Sequence, residues 1–256
     1  MGTIYKQIRL PSDISAASQA DLSSLAGTVS GVQGSISGLP ALEEAVGTLQ
    51  DEVALLLYDA PSITAFTNSV NTTDLGVTVS SVTFNWTVTG SVALVSQSIS
   101  DGVGAVTPAT LRTVQKTGLS LTSNTTLTLS VDDGTAYAGH AATRTSTISF
   151  LNRMYWGTYA TKTLQDAPQN ALNLANADFA SSRAKTVTIN GGGNYIYFCY
   201  PASFGDAVFT VGGLRSTAWT KYGPISLTNA YGHQENYYFY VSDAIQNGDG
   251  INIVIS

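Results

Sequence analysis

The chain has 256 residues, of which 43% are hydrophobic and only 11% are charged, a composition that excludes a disordered protein. Its formal net charge is -6 and its eleven Lys and Arg residues stand singly, which argues against nucleic acid or an anionic membrane surface as a partner. Cys199 is the only cysteine, so no disulfide can form within the chain.

The sequence carries no pattern that is typical of a membrane protein. Its first 21 residues lack the apolar core of a secretory signal peptide. No later stretch approaches the ~20 consecutive apolar residues that span a bilayer. We therefore expect no membrane insertion.

An apolar seam follows between residues 22 and 58, where apolar residues recur at steps of three and four, the spacing that keeps one side of a helix apolar. The seam consists of Leu22, Leu25, Val29, Val32, Ile36, Leu39, Leu42, Val46, Leu49, Val53 and Leu56. The spacing is broken once, where Ile36, Leu39 and Leu42 follow at steps of three and three. Pro40 lies in this break, so the pattern predicts two helical segments in series that meet near it.

The seam predicts a coiled-coil stalk, because the rest of the chain offers no second long helix to cover it. A helix that packs on its own domain is the alternative, but Gly27, Gly31, Gly34 and Gly38 each disfavour the helix by about 1 kcal/mol. Burial against partner chains is the compensation that we expect. The number of chains stays open: Val and Leu at alternate seam positions favour two, whereas the wider apolar stripe near Leu57 favours three or more.

Residues 61–151 change to a period of two, which is typical of half-buried strands. In Ser81–Val88 the inward positions are Val82, Phe84, Trp86 and Val88. In 126–131 they are Leu127, Leu129 and Val131, and Ile148 and Phe150 continue the pattern. About seven short strands with an early buried Trp predict an immunoglobulin-like β-sandwich, in which aliphatic neighbours of Trp86 replace the missing disulfide.

Residues 152–256 contain ten of the thirteen tyrosines, and six of these cluster in two strand-like segments, NYIYFCYP (194–201) and ENYYFYVS (235–242). The segment INIVI at 251–255 predicts a further strand. Residues 165–183 form the one stretch of this region that favours a short helix. We therefore predict a second β-sandwich with a short helical insertion, and a mainly β chain overall.

Several of these segments resemble an immunoglobulin-like module of tailed-bacteriophage virion proteins. They are SITAFTN (62–68), SSVTFNWTV (80–88), LTLSVDDG (127–134) and TISFLNRMYWG (147–157). The segment GGGNYIYFCYPASFGDAVFTVGG (191–213) is similar to the terminal β-domain that often follows this module. The resemblance covers about residues 61–256 and implies a fibre or appendage on the tail, baseplate or head of a virion, usually a homotrimer. Residues 1–21 would then attach the fibre to other virion proteins.

No catalytic, cofactor or metal site is predicted. The run Gly191–Asn194 is not followed by the Lys-Ser or Lys-Thr of a phosphate-binding loop, so it favours a flexible turn between strands. His140 and His233 are 93 positions apart, and neither has a second ligand at metal-binding spacing. We therefore expect that the protein is not an enzyme.

Four aromatic residues are candidates for ligand contact, because the sequence places them in loops of the last domain, where binding residues concentrate. They are Trp219, Tyr222, Tyr231 and His233. The alternative is that these rings fill the sandwich or a subunit interface. Two functions therefore stand: a structural appendage, and an adhesin that holds a host-surface glycan and so attaches the particle to its host.

Overall fold

The computed structural model describes residues 16–256, with side chains from residue 20 onward, so residues 1–15 of the predicted attachment segment 1–21 lie outside the described residues. The fold is mainly β, as predicted. The chain divides into two compact units, the first ending at Tyr58 and the second spanning Asp59–Ser256, which we call the β unit. Within the described range no helix combines the length and hydropathy needed to cross a bilayer.

The first unit contains helix α1, Ala16–Leu57, which runs without interruption through Pro40. The predicted break at Pro40 is therefore wrong. A proline inside a helix costs about 3 kcal/mol, because it has no N–H to give to the carbonyl four residues earlier. The turns on both sides keep their own backbone bonds, which confines the loss to one turn. At 1.5 Å per residue the helix is about 60 Å long.

The β unit contains sixteen strands in three sheets. The first eight strands are β1 Ser62–Asn68, β2 Thr72–Asp74, β3 Val79–Thr89, β4 Ser96–Ile99, β5 Gly104–Ala105, β6 Thr113–Leu121, β7 Thr125–Asp132 and β8 Ala141–Tyr159. The last eight are β9 Asn176–Ala180, β10 Lys185–Ile189, β11 Tyr195–Pro201, β12 Phe209–Val211, β13 Leu214–Ser216, β14 Trp219–Thr228, β15 Gln234–Ser242 and β16 Ile251–Ile255.

The sheets are almost entirely antiparallel. One has the order β1-β3-β6, a second the order β10-β16-β12-β13, and the third the order β14-β15-β11-β8-β7-β4-β5. Strands β2 and β9 also pair with β8, and the pairing of β2 with β8 is parallel. Strand β8 is therefore the element around which the largest sheet is organised.

The first core lies between the β1-β3-β6 sheet and strands β4, β7 and β8. The inward positions predicted for β3, β7 and β8 are buried, with Val88 only partly so; the buried ones are Val82, Phe84, Trp86, Leu127, Leu129, Val131, Ile148 and Phe150. Trp86 has a polar partner that the sequence did not suggest. Its indole Nε1 donates to Oε1 of the buried Gln97 over 3.1 Å, and the Gln97 amide donates in turn to the carbonyls of Pro108 and Leu111.

Two further cores lie on the two faces of the large sheet. Alternate residues of β11 explain why this strand is apolar throughout: Ile196 and Phe198 point into the second core, and Tyr197 and Cys199 into the third. The second core is closed by the β10-β16-β12-β13 sheet. The third is covered by two short 3-10 helices, Leu164–Asp166 and Pro168–Asn173, which are the predicted helical insertion. Strand β9 occupies the remainder of that insertion.

The predicted boundary between residues 61–151 and 152–256 falls inside β8, which is continuous over 19 residues. This strand gives Phe150 to the first core, Met154 to the second and Tyr155 to the third. The division into two β-domains stays a prediction, because Asp59–Ser256 form a single compact unit.

Candidate functional site

The seam of α1 is exposed along its whole length. The exposed fraction of its residues runs from 45% for Val46 and Val53 to 83% for Leu56. Leu55 and Leu57 are exposed as well, so the apolar stripe widens near the C-terminal end of the helix. Exposed apolar surface of this extent is typical of a surface that other molecules cover.

Two of the four aromatic candidates do not lie in loops, so their predicted placement is wrong. Trp219 and Tyr222 belong to β14, and both are partly buried against the cores of the β unit. Trp219 stacks on Phe209 with 4.2 Å between ring centroids. Trp219 and Tyr222 were predicted to lie in a loop because a bulge at Gly223 and Pro224 interrupts the regular alternation of the strand.

Tyr231 and His233 do lie in a turn, between β14 and β15. The Asn229 side chain holds this turn: its Oδ1 accepts the backbone N–H of Tyr231 at 2.9 Å and of His233 at 3.0 Å. Its Nδ2 donates to the Leu75 carbonyl at 2.7 Å, which fixes the turn to the segment after β2. Tyr231 is 56% exposed, whereas Nε2 of His233 is buried without a hydrogen-bond partner among the described residues.

The Tyr231 turn forms one wall of a groove of about 310 Å³, which we call the Tyr231 groove. Its other walls come from the end of β2, from β8, from the second 3-10 helix and from β9. The side chains that line it include Asp74, Arg153, Tyr155, Leu172, Asn229 and Tyr231. Its size lies at the lower end of the ~300–1,000 Å³ that ligand sites occupy.

A bidentate ion pair lies in the Tyr231 groove. Arg153 Nε is 2.7 Å from Asp74 Oδ1, and its Nη2 is 2.9 Å from Oδ2. The parallel register that pairs Asp74 with Leu151 brings Arg153, two residues further along β8, to the same side of the sheet. The guanidinium also lies 4.1 Å from the centroid of the Phe179 ring. The hydrogen bond to Asp74 raises the pKa of Arg153, so the guanidinium keeps its charge.

Tyr155 contributes a free hydroxyl to the Tyr231 groove. The residue is only 5% exposed, and its ring packs in the third core. No described residue forms a hydrogen bond with its hydroxyl. The hydroxyl is not fully buried, and Tyr155 lines the groove. Burial, with a smaller effect of the Asp74 carboxylate, raises the pKa of Tyr155, so the hydroxyl keeps its proton.

A second cavity of about 200 Å³ lies beside Trp219, between β11, β12, β15 and β16. Its walls are mainly apolar, and its polar groups are already engaged. Ser242 Oγ donates to the Ala244 carbonyl and accepts the N–H of Ile196. Gln246 Nε2 also donates to the Ala244 carbonyl. This cavity therefore offers a ligand few free hydrogen-bonding groups.

The structure brings His140 together with two carboxylates, which corrects the expectation that His140 has no second ligand at metal spacing. Ligand atoms of Asp132, Asp133 and His140 lie within 4.8 Å of one another. Nδ1 of His140 is 3.1 Å from Asp132 Oδ1. The N–H of Gly134 and then the His140 side chain lower the pKa of Asp132. Asp and His are suitable ligands for a divalent ion. However, Asp132 and His140 already bond to each other, and Asp133 Oδ1 accepts the N–H of Thr135.

The turn at Gly191–Asn194 has no free cradle of backbone amides. Gly191 N–H donates to the Gly248 carbonyl at 2.9 Å, and Gly193 N–H donates to the Gln246 carbonyl at 3.0 Å. A Cβ on Gly191 would lie 2.2 Å from the Gln246 oxygen, which explains the glycine. The predicted turn is confirmed. Its backbone N–H groups at Gly191 and Gly193 already donate to carbonyl groups of the chain, so they are not available to bind a phosphate.

Comparison with known proteins gives no relative: no protein-family model matches the chain, and no curated protein matches it.

Proposed function

We propose that the chain is a structural fibre or appendage protein of a bacteriophage virion, in which α1 assembles copies of the chain through a parallel coiled coil and the β unit projects from the particle. The observation that carries this proposal is the exposed seam of eleven apolar residues on a helix about 60 Å long. The location on a virion and the choice of three chains rest on the resemblance of residues 61–256 to phage virion modules.

The physical case for assembly lies in the balance between the seam and the helix that carries it. Each Leu, Ile or Val of the seam contributes about 1.5–3 kcal/mol when it is fully buried. Pro40 and five glycines disfavour the same helix, and an isolated helix in water gains nothing from an exposed seam. Burial of the seam between chains supplies the stabilisation that the isolated helix lacks.

The glycines leave the seam intact, which also favours assembly. Gly34 follows Val32 by two residues and precedes Ile36 by two, so at about 100° per residue it lies opposite the seam. A Cβ at Gly27, Gly31, Gly34 or Gly38 would meet nothing within 4 Å. The sequence therefore confines its poor helix formers to the outer surface of the proposed coil.

For the β unit we propose an immunoglobulin-like sandwich in residues 61–151 and a β-sandwich in 152–256. The first is supported by one core shared between the β1-β3-β6 sheet and strands β4, β7 and β8, with Trp86 inside it. The second is supported by the core between β11 and the β10-β16-β12-β13 sheet. Neither sandwich requires a catalytic role, and we assign none.

Light scattering on the full-length protein tests the proposal. We expect a mass of three chains that does not change with dilution into the low micromolar range. A monomer under these conditions would contradict the coiled coil, and a stable dimer would contradict the trimer alone. Immunogold labelling of purified phage particles then tests the virion location, which predicts gold at the particle surface.

The second candidate function is host attachment through a glycan. The observation that favours it is the exposed ring of Tyr231 at the edge of a groove that contains unsatisfied polar groups. Of the four aromatic candidates, only Tyr231 lines this groove.

A further inference from the structure

We infer that the Tyr231 groove is a binding site for an uncharged saccharide. The inference deepens the second of the proposed functions and rests on it. It assigns the contact to Asp74, Tyr155, Asn229 and Tyr231 within one groove, and it leaves out Trp219 and Tyr222, which pack against the cores.

The hydroxyl of Tyr155 carries the inference furthest. A buried tyrosine normally satisfies its hydroxyl within the protein. Tyr197 and Tyr237, the buried neighbours of Tyr155 in the third core, do so: their hydroxyls donate to the carbonyls of Thr161 and Arg153. Tyr155 is also buried, with 5% of its surface exposed, but it has no such partner among the described residues, and its hydroxyl is left for a molecule in the groove.

The charge of the groove selects the class of ligand. The carboxylate of Asp74 and the guanidinium of Arg153 compensate each other at 2.7 and 2.9 Å. Among the described residues that line the groove, none is an unpaired cation that could hold a phosphate or a carboxylate, and none is an unpaired anion that could hold an amine. A carboxylate that already accepts two bonds still has lone pairs for hydroxyl donors. The groove therefore suits a neutral ligand that is rich in hydroxyl groups.

The turn at Tyr231 supplies the apolar half of saccharide recognition. A sugar ring has an apolar face of C–H groups, and an aromatic ring with one polar tip can cover such a face at a wet surface. Tyr231 is more than half exposed, yet its backbone is fixed by the Asn229 side chain, which is itself tied to Leu75. The ring is thus presented on a prepared turn, which lowers the entropic cost of binding.

Other neutral ligands fit less well. An apolar molecule would cover the Tyr155 hydroxyl and the Asp74 lone pairs without forming hydrogen bonds to them, and each unsatisfied group would reduce the binding free energy. An extended peptide would need a free strand edge, and the backbone of β8 beside the groove is paired with both β2 and β9. The groove of about 310 Å³ fits one or two sugar units rather than a long segment.

Saturation-transfer-difference NMR on the full-length protein tests the inference with soluble methyl glycosides, which bind one groove at a time and give no avidity. The panel contains neutral hexosides, 6-deoxyhexosides and N-acetylhexosaminides, with methyl glucuronide as the acidic member. We expect millimolar binding of at least one neutral glycoside, unchanged in 0.5 M salt, because the groove carries no net charge.

Two substitutions locate the binding. Tyr155→Phe removes one hydroxyl without a protein partner, so the fold is kept and the affinity should fall about fivefold. Tyr231→Ala removes the exposed ring and should lower the affinity about five- to tenfold. The matched controls are Tyr222→Phe, which removes a hydroxyl outside the groove, and Leu214→Ala, which truncates an exposed side chain of β13; both should bind as the wild type does.

Three results would overturn the inference: no binding by any neutral glycoside, stronger binding of the glucuronide, or equal binding by the wild type and both groove variants. Light scattering on the same samples separates this failure from failure of the proposed fibre. A monomer that still binds a neutral glycoside would contradict the fibre and support the groove. A trimer that binds none would contradict the groove and leave the fibre standing.

Discussion

Helix α1 and the β unit use apolar residues in opposite ways. In α1 every seam residue from Leu22 to Leu56 is exposed, and no described residue of this helix belongs to a buried core. In the β unit apolar residues fill three cores, and large side chains such as Phe84, Tyr197 and Phe239 are completely buried. The difference teaches that the β unit contains the contacts that stabilise it, whereas the seam of α1 is left exposed and, under our proposal, is covered by other copies of the chain.

The largest effect should come from breaking the seam alone. Leu49→Asp places a carboxylate at the centre of the proposed coiled coil in every chain, at a cost of several kcal/mol per assembly. We expect sedimentation velocity to show a monomer whose β unit keeps its Trp fluorescence. Thr48→Asp adds the same charge one residue away, off the seam, and should stay assembled. Equal behaviour of the two variants would show that the seam does not hold the chains together.

The converse variant breaks the β unit. Trp86→Ala should lower the free energy of unfolding of the β unit by about 3–5 kcal/mol, because it opens a cavity and leaves Gln97 without its partner. Trp86→Phe keeps most of the volume and loses only the hydrogen bond, so we expect a smaller loss of about 1–3 kcal/mol. Urea denaturation measures both values. Similar losses for the two variants would indicate that the cavity contributes little.

The ion pair of the groove should matter more than a pair on the surface. Arg153→Ala leaves a carboxylate whose side chain is 10% exposed without its partner, and we expect a loss of about 2 kcal/mol after allowance for the partly exposed arginine. Lys185→Ala is the matched control. It removes an ion pair with the more exposed Asp178 and a similar stacking contact on Trp156, and should cost below about 1 kcal/mol. Equal losses in urea denaturation would contradict the role of burial.

Glycine has opposite roles in the two units, which a pair of alanine variants can separate. Gly34→Ala in α1 should stabilise the helix by about 1 kcal/mol without changing the number of chains. Gly212→Ala, between β12 and β13, should destabilise by about 1 kcal/mol, because its φ of 56° disfavours a side chain. Neither position has a neighbour within 4 Å of the added Cβ, so backbone conformation alone is tested by thermal denaturation.

The smallest effect concerns pH. The pKa of Asp132 in the folded state is lowered, chiefly by the N–H of Gly134 and then by His140, from an ordinary value of 3.8. A lowered pKa adds stability that is complete above the unfolded value and is lost as the pH falls through the folded value. In urea denaturation Asp132→Asn should therefore be less stable than the wild type at pH 6, and the difference should vanish in strong acid. A difference independent of pH would contradict this.

Much of the architecture could be predicted from periodicity. The seven-residue spacing of the seam predicted a helix, which the structure contains. The alternation around Phe84 and Leu129 predicted which face of each strand is buried, and the structure confirms it. The continuity of α1 through Pro40 could not be predicted in the same way, because a proline costs one turn while the flanking sequence decides whether the helix resumes.

The candidate site depended on contacts that periodicity does not describe. Asp74 and Arg153 are 79 residues apart and meet only through the parallel pairing of β2 with β8. The loop placement of Trp219 and Tyr222 failed because the bulge at Gly223 and Pro224 interrupts the alternation of β14. A weak signal for the groove did exist, since Asp74 stands alone among apolar and neutral residues in a chain poor in charge.

Strand β8 determines how the β unit responds to mechanical load. Because Ala141–Tyr159 is one continuous strand, tension between its two ends passes through covalent backbone and meets no linker that could extend. To separate the first core from the second, a pulling force would have to strip β8 either from β7 or from β9 and β11. The weaker of these two sets of ladders therefore determines the rate of forced unfolding. A projection built on such a strand transmits a pull along its length without lengthening.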